Sequence, residues 1–212
     1  NTSIKASVDA QGRITSAADM PIAVASIAAM VAIDKTTLAN GQHLRVLGHT
    51  TAGDGGGGDF VWNDTSTATV NTGTVFQAAA GGTGRWSRIA EGMYVDARWF
   101  GTTTDGVPRA TEAQAAYDYA KNSWSTLTFP SAGGSTGYYA VSFNLTSTYV
   151  GIMGSGFVAT QFRPTTTTGT VFTLADTSGT AAPLHMRDFA IVGQGSRQGI
   201  GIDHYSTGSA SS

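Results

Sequence analysis

Short apolar segments separated by small polar residues recur along most of this chain. After Ser26, a predicted N-cap, the residues Ile27, Met30 and Val31 follow the i, i+3, i+4 spacing of one helix face. Strand-like runs bounded by Gly, Asn or Asp come next, and these are Leu44–Leu47, Asp59–Trp62, Thr74–Phe76 and Gly84–Ile89. Residues 26–92 are therefore predicted to form a compact module of one helix and about four strands.

A second helical pattern begins at Thr111. Thr111 and Gln114 match a capping box, in which the hydroxyl of the first residue and the amide of the fourth satisfy backbone groups at the helix start. Small residues and one tyrosine then recur at i, i+3, i+4 and i+7, and these are Ala113, Ala116, Tyr117 and Ala120. This spacing predicts a helix that ends near Asn122 and packs through a small-residue face.

The part of the chain after this helix has no other helical pattern. Its short apolar segments are separated by Gly, Ser, Thr and Pro, and they are Leu127–Phe129, Tyr138–Val141, Val150–Ile152, Thr160–Phe162, Val171–Leu174, Met186–Ile191 and Gly199–Ile202. The apolar alternation slips at Arg187 and Asp188, which predicts a corner there. Short strands joined by corners are typical of a solenoid whose coils bury inward residues on neighbouring coils, with the helix closing the first coil.

The composition supports a mainly β protein. Glycine occupies 28 of the 212 positions and only 12% of the residues are charged, which disfavours an ordinary helical enzyme. The net charge of −2 leaves no basic field for a nucleic-acid backbone, so nucleic acid is not expected as a partner. The longest apolar run, residues 21–33, is too short to span a membrane. The chain has no cysteine, which excludes disulfides and thiolate chemistry.

The most unusual segment is Gly53–Asp59, in which five of seven residues are glycine. Glycines of this density serve either to cradle an anion or to form a tight turn. A phosphate-binding loop would carry Gly-Lys-Ser/Thr at the start of a helix, whereas this segment precedes a strand and has no lysine nearby. We therefore expect a turn before Phe60 and Trp62, and the chain is predicted to use no cofactor and no metal.

Few residues of the predicted coils could carry out glycan cleavage. Asp176, Asp188 and Asp203 are the only acidic residues after Leu127, whereas glycoside hydrolysis requires two carboxylates at a defined separation. Asp188 is the strongest functional candidate of the three because it lies at a predicted strand corner. Its position beside Arg187 nevertheless favours a structural role, as a carboxylate that stabilises the corner. The catalytic residues are accordingly left unassigned.

Histidines and aromatic residues offer two further candidate sites. His185 and His204, with the neighbouring Asp203, could meet on adjacent coils as a metal or base cluster, although exposed or stacking histidines are the favoured alternative. The Tyr138–Tyr139 pair, if exposed, would stack on the faces of sugar rings. The tryptophans that alternate within strand patterns are instead expected in the core of the module, and these are Trp62, Trp86 and Trp99.

An ordered set of motifs resembles a known family. In the second half these motifs are Asp105–Val107, the Ala-rich helix 110–120, Leu127–Pro130, Tyr139–Ser142, Ile152–Gly156 and Met186–Gly193. Together they resemble the start of the pectate-lyase-like right-handed parallel β-helix found in bacteriophage tailspikes and capsule depolymerases. The first half resembles the small module that precedes this β-helix, through Val46–Gly48, Gly53–Gly58, Phe60–Trp62, Gly84–Trp86 and Trp99–Gly101. Pro108 and Arg109 depart from the family, which usually has acidic residues before its helix.

The resemblance implies a mainly β fold in three parts. These are an N-terminal arm (1–25), a small β-rich α+β connecting module (26–100), and a helix cap with the first coils of a right-handed parallel β-helix (101–212). Because family β-helices run for many coils, the sequence is expected to be a truncated part of a longer chain.

The resemblance also implies a function and partners. It predicts an extracellular virion tailspike or tail fibre, in which this segment serves attachment and trimerisation. The homotrimeric β-helix would recognise and degrade bacterial capsular or O-antigen polysaccharide, with the active site outside this segment. The N-terminus would bind the phage tail, its baseplate or another tail protein. A secreted bacterial β-helix lyase or hydrolase and a non-catalytic glycan-binding adhesin are the alternatives.

Overall fold

The computed structural model describes residues 2–8, 10–11, 13–21, 23–90, 92–132, 137–145, 150–166, 169–176, 185–193 and 202–206. The chain falls into two compact units, Asn1–Ala90 and Glu91–Ser212, each with its own apolar core. Among the described residues only one helix exceeds two turns, and the other regular elements are almost all strands. The predicted mainly β fold class is confirmed.

The first unit contains a hairpin and a five-stranded sheet. The antiparallel hairpin of β1 (Thr2–Val8) and β2 (Ile14–Pro21) lies within residues 1–25, predicted as an arm. The sheet has the order β3-β4-β5-β7-β6, and its strands are β3 (Ala23–Val24), β4 (His43–Val46), β5 (Gly58–Asn63), β6 (Val75–Gln77) and β7 (Arg85–Arg88). β4 to β7 confirm the four predicted strand-like runs, whereas β3 is a strand that the apolar pattern did not indicate.

A short helix and a 3₁₀ turn connect β3 to β4. The helix, α1 (Ile27–Val31), is capped as predicted, because Ser26 Oγ accepts a hydrogen bond from the Ala29 N–H at 3.3 Å. Its apolar face buries Met30 completely in the core of the unit. The 3₁₀ turn follows at Lys35–Thr37.

Two tryptophans form the centre of this core. Trp62 and Trp86 lie directly opposite each other on the antiparallel strands β5 and β7, with ring centroids 5.4 Å apart, and both are buried. Their predicted place in the module core is confirmed. The same prediction for Trp99 was wrong, because Trp99 packs against the core of the second unit. Trp99 lies in a 3₁₀ turn, Ala97–Phe100, that follows a strand of that unit.

The second unit is a stack of parallel strands in three sheets. Sheet A contains β8 (Tyr94–Asp96), β10 (Thr126–Thr128), β13 (Gly151–Met153) and β16 (His185–Arg187). Sheet B contains β9 (Asp105–Pro108), β11 (Tyr138–Ala140), β14 (Gln161–Arg163) and β17 (Ala190–Ile191). Sheet C contains β12 (Phe143–Leu145), β15 (Phe172–Asp176) and β18 (Ile202–Ser206). Successive strands visit the sheets in the order A, B, C, which is the connectivity of a parallel β-helix.

The interior of the coils is filled by equivalent residues stacked on one another. Leu127 lies opposite Ile152, and Tyr139 opposite Phe162, in parallel registers that repeat from coil to coil. Phe143 stacks almost parallel on Phe172 of the next coil, with centroids 5.2 Å apart and an interplanar angle of 7°. Each coil therefore buries its apolar side chains on its neighbours, as the sequence predicts.

A helix replaces one strand of the first coil. The helix α2 (Ala110–Asn122) follows β9 of sheet B and precedes β10 of sheet A, so it occupies the chain position at which later coils have a sheet C strand. Its predicted packing face is confirmed, because four residues on it have no exposed surface, and these are Ala113, Ala116, Tyr117 and Ala120. Small side chains let the helix lie close to the end of the coil stack.

The predicted capping box at the start of α2 was wrong. The N-cap residue is Arg109, which makes no side-chain capping hydrogen bond, and Thr111 lies inside the first turn. Gln114 binds the edge of sheet C instead: its Oε1 accepts from the Asn144 N–H at 2.8 Å, and its Nε2 donates to the Asn144 carbonyl at 3.2 Å. Because β12 is the edge strand of sheet C among the described residues, the Gln114 amide supplies the hydrogen bonds that a neighbouring strand would make.

Replacing Gln114 by alanine is expected to lower the free energy of unfolding by about 1 kcal/mol, because two hydrogen bonds are lost while water can still reach the Asn144 backbone. Asn122→Ala is the matched control, since Asn122 is the exposed last residue of the same helix. Its expected effect is below about 0.5 kcal/mol. Urea denaturation followed by circular dichroism measures both, and equal losses would contradict the edge-capping role.

The structure refines two boundaries. The division between the units falls after Ala90, whereas the sequence placed the end of the module at residue 100. The reason is that β8 and β9 form the first coil and pair with β10 and β11 of the next coil, although they are too short to show an apolar period. The predicted corner at Arg187 and Asp188 is confirmed: β16 ends at Arg187, and Asp188 has a left-handed φ of 62°. Of the predicted strand Gly199–Ile202, only Ile202 lies within the described residues, at the start of β18.

Candidate functional site

A groove of about 540 Å³ lies between α2 and the first strands of sheet C. It is lined from the helix by Ala110, Thr111, Gln114, Ala115 and Asp118, and from the coils by Ser142, Phe143, Asn144 and Thr173. The polar groups of this lining are hydroxyls and amides, with one carboxylate among them. Its volume is in the range of pockets that bind small molecules.

The helix positions the polar wall of the groove. Gln114 and Asp118 are four residues apart and therefore share one face, where Gln114 Nε2 lies 3.3 Å from Asp118 Oδ1. Lys121 Nζ lies 3.9 Å from the same carboxylate oxygen. The groove can offer hydrogen bonds to a hydroxyl-rich molecule. The described lining of the groove holds one carboxylate, whereas glycoside hydrolysis requires a pair.

Three other described carboxylates of the β-helix form ion pairs, and each lies on a different element. Asp96 makes a two-pronged contact with Arg98, with the shortest distance 2.7 Å, and Asp105 lies 3.8 Å from Arg109. Asp188, the acid closest to a functional character in the sequence, lies 3.6 Å from its neighbour Arg187. No two of these carboxylates share a hydrogen-bond or ion-pair partner.

The structure gives Asp188 a corner position. Its carbonyl accepts a hydrogen bond from the Gly156 N–H of the preceding coil at 2.7 Å, so the corner is tied to the coil beneath it. Both side chains of the Arg187–Asp188 pair are at least half exposed. This geometry agrees with the structural interpretation that the sequence favoured.

The other two candidate acids are not opposite each other. In the ladder between β15 and β18, Asp203 is opposite Thr173 and Asp176 is opposite Ser206. The two aspartates are thus offset by three positions, or roughly 10 Å along the strand direction. The backbone register alone separates them.

The two histidines lie in different sheets. His185 is opposite Gly151 in sheet A, whereas His204 is opposite Leu174 in sheet C. Their spacing of 19 residues in the chain therefore does not place them at equivalent positions of adjacent coils. Over the part of the chain that the structure describes, no group of three or more His, Asp or Glu residues could hold a metal ion.

The predicted exposed tyrosine pair is divided between the interior and the surface. Tyr139 is fully buried, its hydroxyl donates to the Pro130 carbonyl at 2.9 Å, and burial raises the pKa of this phenol above its ordinary value. Tyr138 points the other way because side chains alternate along a strand. The expectation of a two-ring sugar platform was therefore wrong, and only Tyr138 is available at the surface.

The glycine-rich segment forms a turn, as the sequence predicts. Four backbone N–H groups donate to the carboxylate of Asp54 at 2.8–3.0 Å, and they belong to His49, Thr50, Thr51 and Gly56. The Arg88 guanidinium donates to the carbonyls of Gly56 and Gly57 from the other side. The N–H groups that could cradle a phosphate are thus directed at an internal carboxylate.

The sequence did not single out Asp118 on α2 or Arg163 at the end of β14, and its pattern assigned Gln114 only to a helix cap. The helix residues carry a detectable signal, because Gln114 and Asp118 recur at i, i+4 opposite the buried alanine face. Arg163 shows no such signal in the sequence, because the residue that it contacts, Tyr138, lies on a strand of the preceding coil. No helix in the described part of the chain is long and apolar enough to cross a membrane.

Comparison with known proteins agrees with this two-unit organisation. Residues 23–91, about a third of the chain, match the family model of the phage tail protein small four-stranded β-sheet domain. The matched range begins at β3 and ends where the first unit ends. No curated protein sequence matches the chain at a significant level.

Solved structures similar to the chain are tailspikes and a tailspike-like enzyme. The tailspike protein gp49 of Acinetobacter baumannii bacteriophage Fri1, a capsular polysaccharide depolymerase, is 17% identical with a TM-score of 0.70, over 87% of this chain and 36% of that protein. Full-length tailspike protein 2 of an Escherichia coli O157:H7 bacteriophage is 24% identical with a TM-score of 0.63, over 88% and 24%. Pantoea stewartii WceF, a glycan biofilm modifying enzyme with a tailspike-like parallel β-helix fold, is 18% identical with a TM-score of 0.67, over 94% and 30%.

These similarities identify the fold. The chain spans between 24% and 36% of the length of these three proteins. At such identities the likeness shows a shared architecture, the tailspike-type parallel β-helix. The resemblance drawn from the ordered sequence motifs is confirmed at this level by the structures and by the phage tail domain at residues 23–91.

Proposed function

We propose that this chain is the N-terminal part of a phage tailspike or tail fibre that links the virion to a β-helix for bacterial surface polysaccharide. The observation that carries the proposal is the order of its two units. A domain that matches a phage tail family at residues 23–91 is followed by a parallel β-helix of the tailspike type. A protein with this organisation acts outside the bacterial cell, at the tail of the particle.

Within that protein, this segment is a scaffold and attachment element. Three of the described carboxylates of its β-helix are paired with a neighbouring arginine, and a fourth, Asp118, lines the groove beside α2, where Lys121 is 3.9 Å away. This arrangement supports a glycan-contacting surface and offers no described pair of free carboxylates. We assign polysaccharide cleavage, by hydrolysis or elimination, to other coils of the longer protein.

The proposed assembly is a homotrimer. Exposed apolar side chains on the second unit support association between copies, since large exposed apolar groups mark interaction surfaces. The most exposed are Met93, Trp124, Phe157, Tyr94 and Val158. Light scattering of this chain at micromolar concentration is expected to give three times the 21.8 kDa mass of one chain. A clean monomer would contradict the trimer.

The activity is tested by incubating the full-length protein with purified capsular and O-antigen polysaccharides and following their chain length by size-exclusion chromatography. The expected result is that one polysaccharide becomes shorter. In a separate binding experiment, the first unit is expected to attach the protein to the virion. Binding without shortening of any polysaccharide would favour the adhesin alternative.

The alternative of a secreted bacterial enzyme is supported by the similarity to WceF, because WceF is a bacterial enzyme with the same type of fold. The phage tail domain at residues 23–91 favours the virion protein over it.

A further inference from the structure

Arg163 is distinguished from the other cations of the β-helix by its surroundings. It ends β14 in sheet B, and its guanidinium carbon lies 4.0 Å from the ring centroid of Tyr138 on the preceding coil. A guanidinium stacked on an aromatic ring in this way is held in a defined plane. The plane and its charge are therefore fixed on the flank of the β-helix.

The charge of Arg163 has no anionic partner within the described residues. Arg98, Arg109 and Arg187 each lie within 4 Å of a carboxylate, but no described carboxylate lies at this distance from Arg163. Asp105, on the strand next to Tyr138, is engaged by Arg109, by the Thr103 hydroxyl and by the Val107 N–H. Among the described residues, this positive charge thus has no carboxylate partner.

The side-chain N–H groups of Arg163 also make no hydrogen bond to any residue that the structure describes. Its Nε is buried and has no hydrogen-bond partner, whereas nearly all buried polar groups of proteins have one. No hydrogen bond from its terminal nitrogens to another described residue is present. A guanidinium offers five N–H donors, and two of them match the two oxygens of a carboxylate.

Tyr138 is itself held from below. Gly106 has a φ of 76°, and a Cβ atom at that position would lie 2.6 Å from the Tyr138 hydroxyl oxygen. The ring therefore rests on the bare backbone of Gly106, which only glycine permits. Gly106, Tyr138 and Arg163 form three layers, with the half-buried ring between the glycine backbone and the guanidinium.

We propose that Arg163 and Tyr138 form a subsite for a carboxylate-bearing sugar, a uronic acid unit of an acidic surface polysaccharide. The Tyr138 ring holds the guanidinium in its plane, and the guanidinium fork binds the sugar carboxylate. Gln161, on the same strand as Arg163, offers an amide for a sugar hydroxyl. The inference rests on the proposed glycan-binding function and narrows it to acidic glycans.

The test is a titration of the ¹⁵N-labelled full chain with sodium glucuronate, followed by NMR of the arginine side-chain N–H groups and the backbone of β11 and β14. Saturable shifts at Arg163 and Tyr138 are expected with glucuronate. Glucose, which lacks the carboxylate, and sodium chloride at the same ionic strength are expected to leave these signals in place. Equal shifts with chloride would overturn the subsite.

Variants separate the fork from the charge. Arg163→Lys keeps the charge but loses the planar fork, so roughly tenfold weaker glucuronate binding is expected. Arg163→Gln is expected to abolish the shift at Tyr138. Arg187→Gln, which removes an exposed arginine from sheet A, is the control and is expected to bind glucuronate like the unmodified chain. Unchanged binding by Arg163→Gln would overturn the proposal.

Failure of this subsite and failure of the proposed function are distinguishable. A trimer that shortens a bacterial polysaccharide while Arg163 ignores glucuronate would overturn the subsite alone. A full-length protein that binds glucuronate through Arg163 but neither assembles into a trimer nor binds or shortens any surface polysaccharide would overturn the tailspike function and leave the subsite standing.

Discussion

Alanine in place of Phe162 is expected to destabilise the β-helix by about 4 kcal/mol, in the range observed for the loss of a fully buried phenylalanine. Phe162 has no exposed surface and lies at the centre of the aromatic core. Its ring centroid is 4.8–6.4 Å from five other rings, which belong to Phe129, Tyr139, Phe143, Phe172 and Phe189. Because each coil is stabilised by its neighbours, a cavity here weakens the coils on both sides.

Hydrogen–deuterium exchange read by mass spectrometry measures this effect within the second unit. Peptides from β10 to β17 of the Phe162→Ala chain are expected to exchange much faster, while peptides of the five-stranded sheet keep their rates. Phe157→Ala is the matched control, because Phe157 is 74% exposed and lies between the same two strands, β13 and β14. Its expected effect is below about 0.5 kcal/mol. Comparable losses from the two variants would contradict the central place of Phe162.

Asparagine in place of Asp54 is expected to destabilise the first unit by about 2 kcal/mol. Each carboxylate oxygen accepts two backbone N–H groups: Oδ1 from His49 and Gly56, and Oδ2 from Thr50 and Thr51. An asparagine amide retains one oxygen and directs an NH₂ group at two N–H donors. Asp59→Asn is the control, since its ion pair with Arg45 is exposed and contributes less than about 1 kcal/mol.

The same carboxylate makes the first unit sensitive to acid. Partial burial would raise the pKa of Asp54, but the four N–H donors outweigh it and hold the pKa below its ordinary value of 3.8. The stabilisation is therefore fully present above the pKa of the unfolded chain and is lost as the pH falls through the lower folded value. Denaturation with urea between pH 6 and pH 2.5 should show the unmodified chain converging toward Asp54→Asn at low pH. A difference that stays constant over this range would contradict the role of the charge.

Local patterns in the sequence predicted most of the elements. The face Ala113, Ala116, Tyr117 and Ala120 and the corner at Asp188 depend on neighbouring residues alone, and both are found in the structure. Strands of three or four residues such as β8, β9 and β12 are too short to show a period. Their strand conformation depends on pairing with residues one coil away.

The candidate site depended on contacts that a sequence does not contain. Gln114 was assigned to its own helix terminus because the capping-box pattern is local, whereas its partner Asn144 lies 30 residues further on. Tyr138 and Tyr139 are adjacent residues of the same type, so the sequence does not distinguish them. Side chains alternate along β11, which places Tyr139 in the interior and Tyr138 on the surface. Trp99 packs against the core of the second unit, and not of the first, because the first coil of the β-helix begins before this residue.

The class of the fold follows from local patterns along the chain: short apolar segments, small polar residues at the corners and one helix with a small-residue face favour a β solenoid. Which residues meet depends on the packing of one coil on the next. The stacking register of the coils places Arg163 over Tyr138, and Tyr138 over Gly106, across 25 and 32 residues of chain. The physical reason is that period and polarity are set by adjacent residues, whereas the environment of a charge is set by the neighbouring coil.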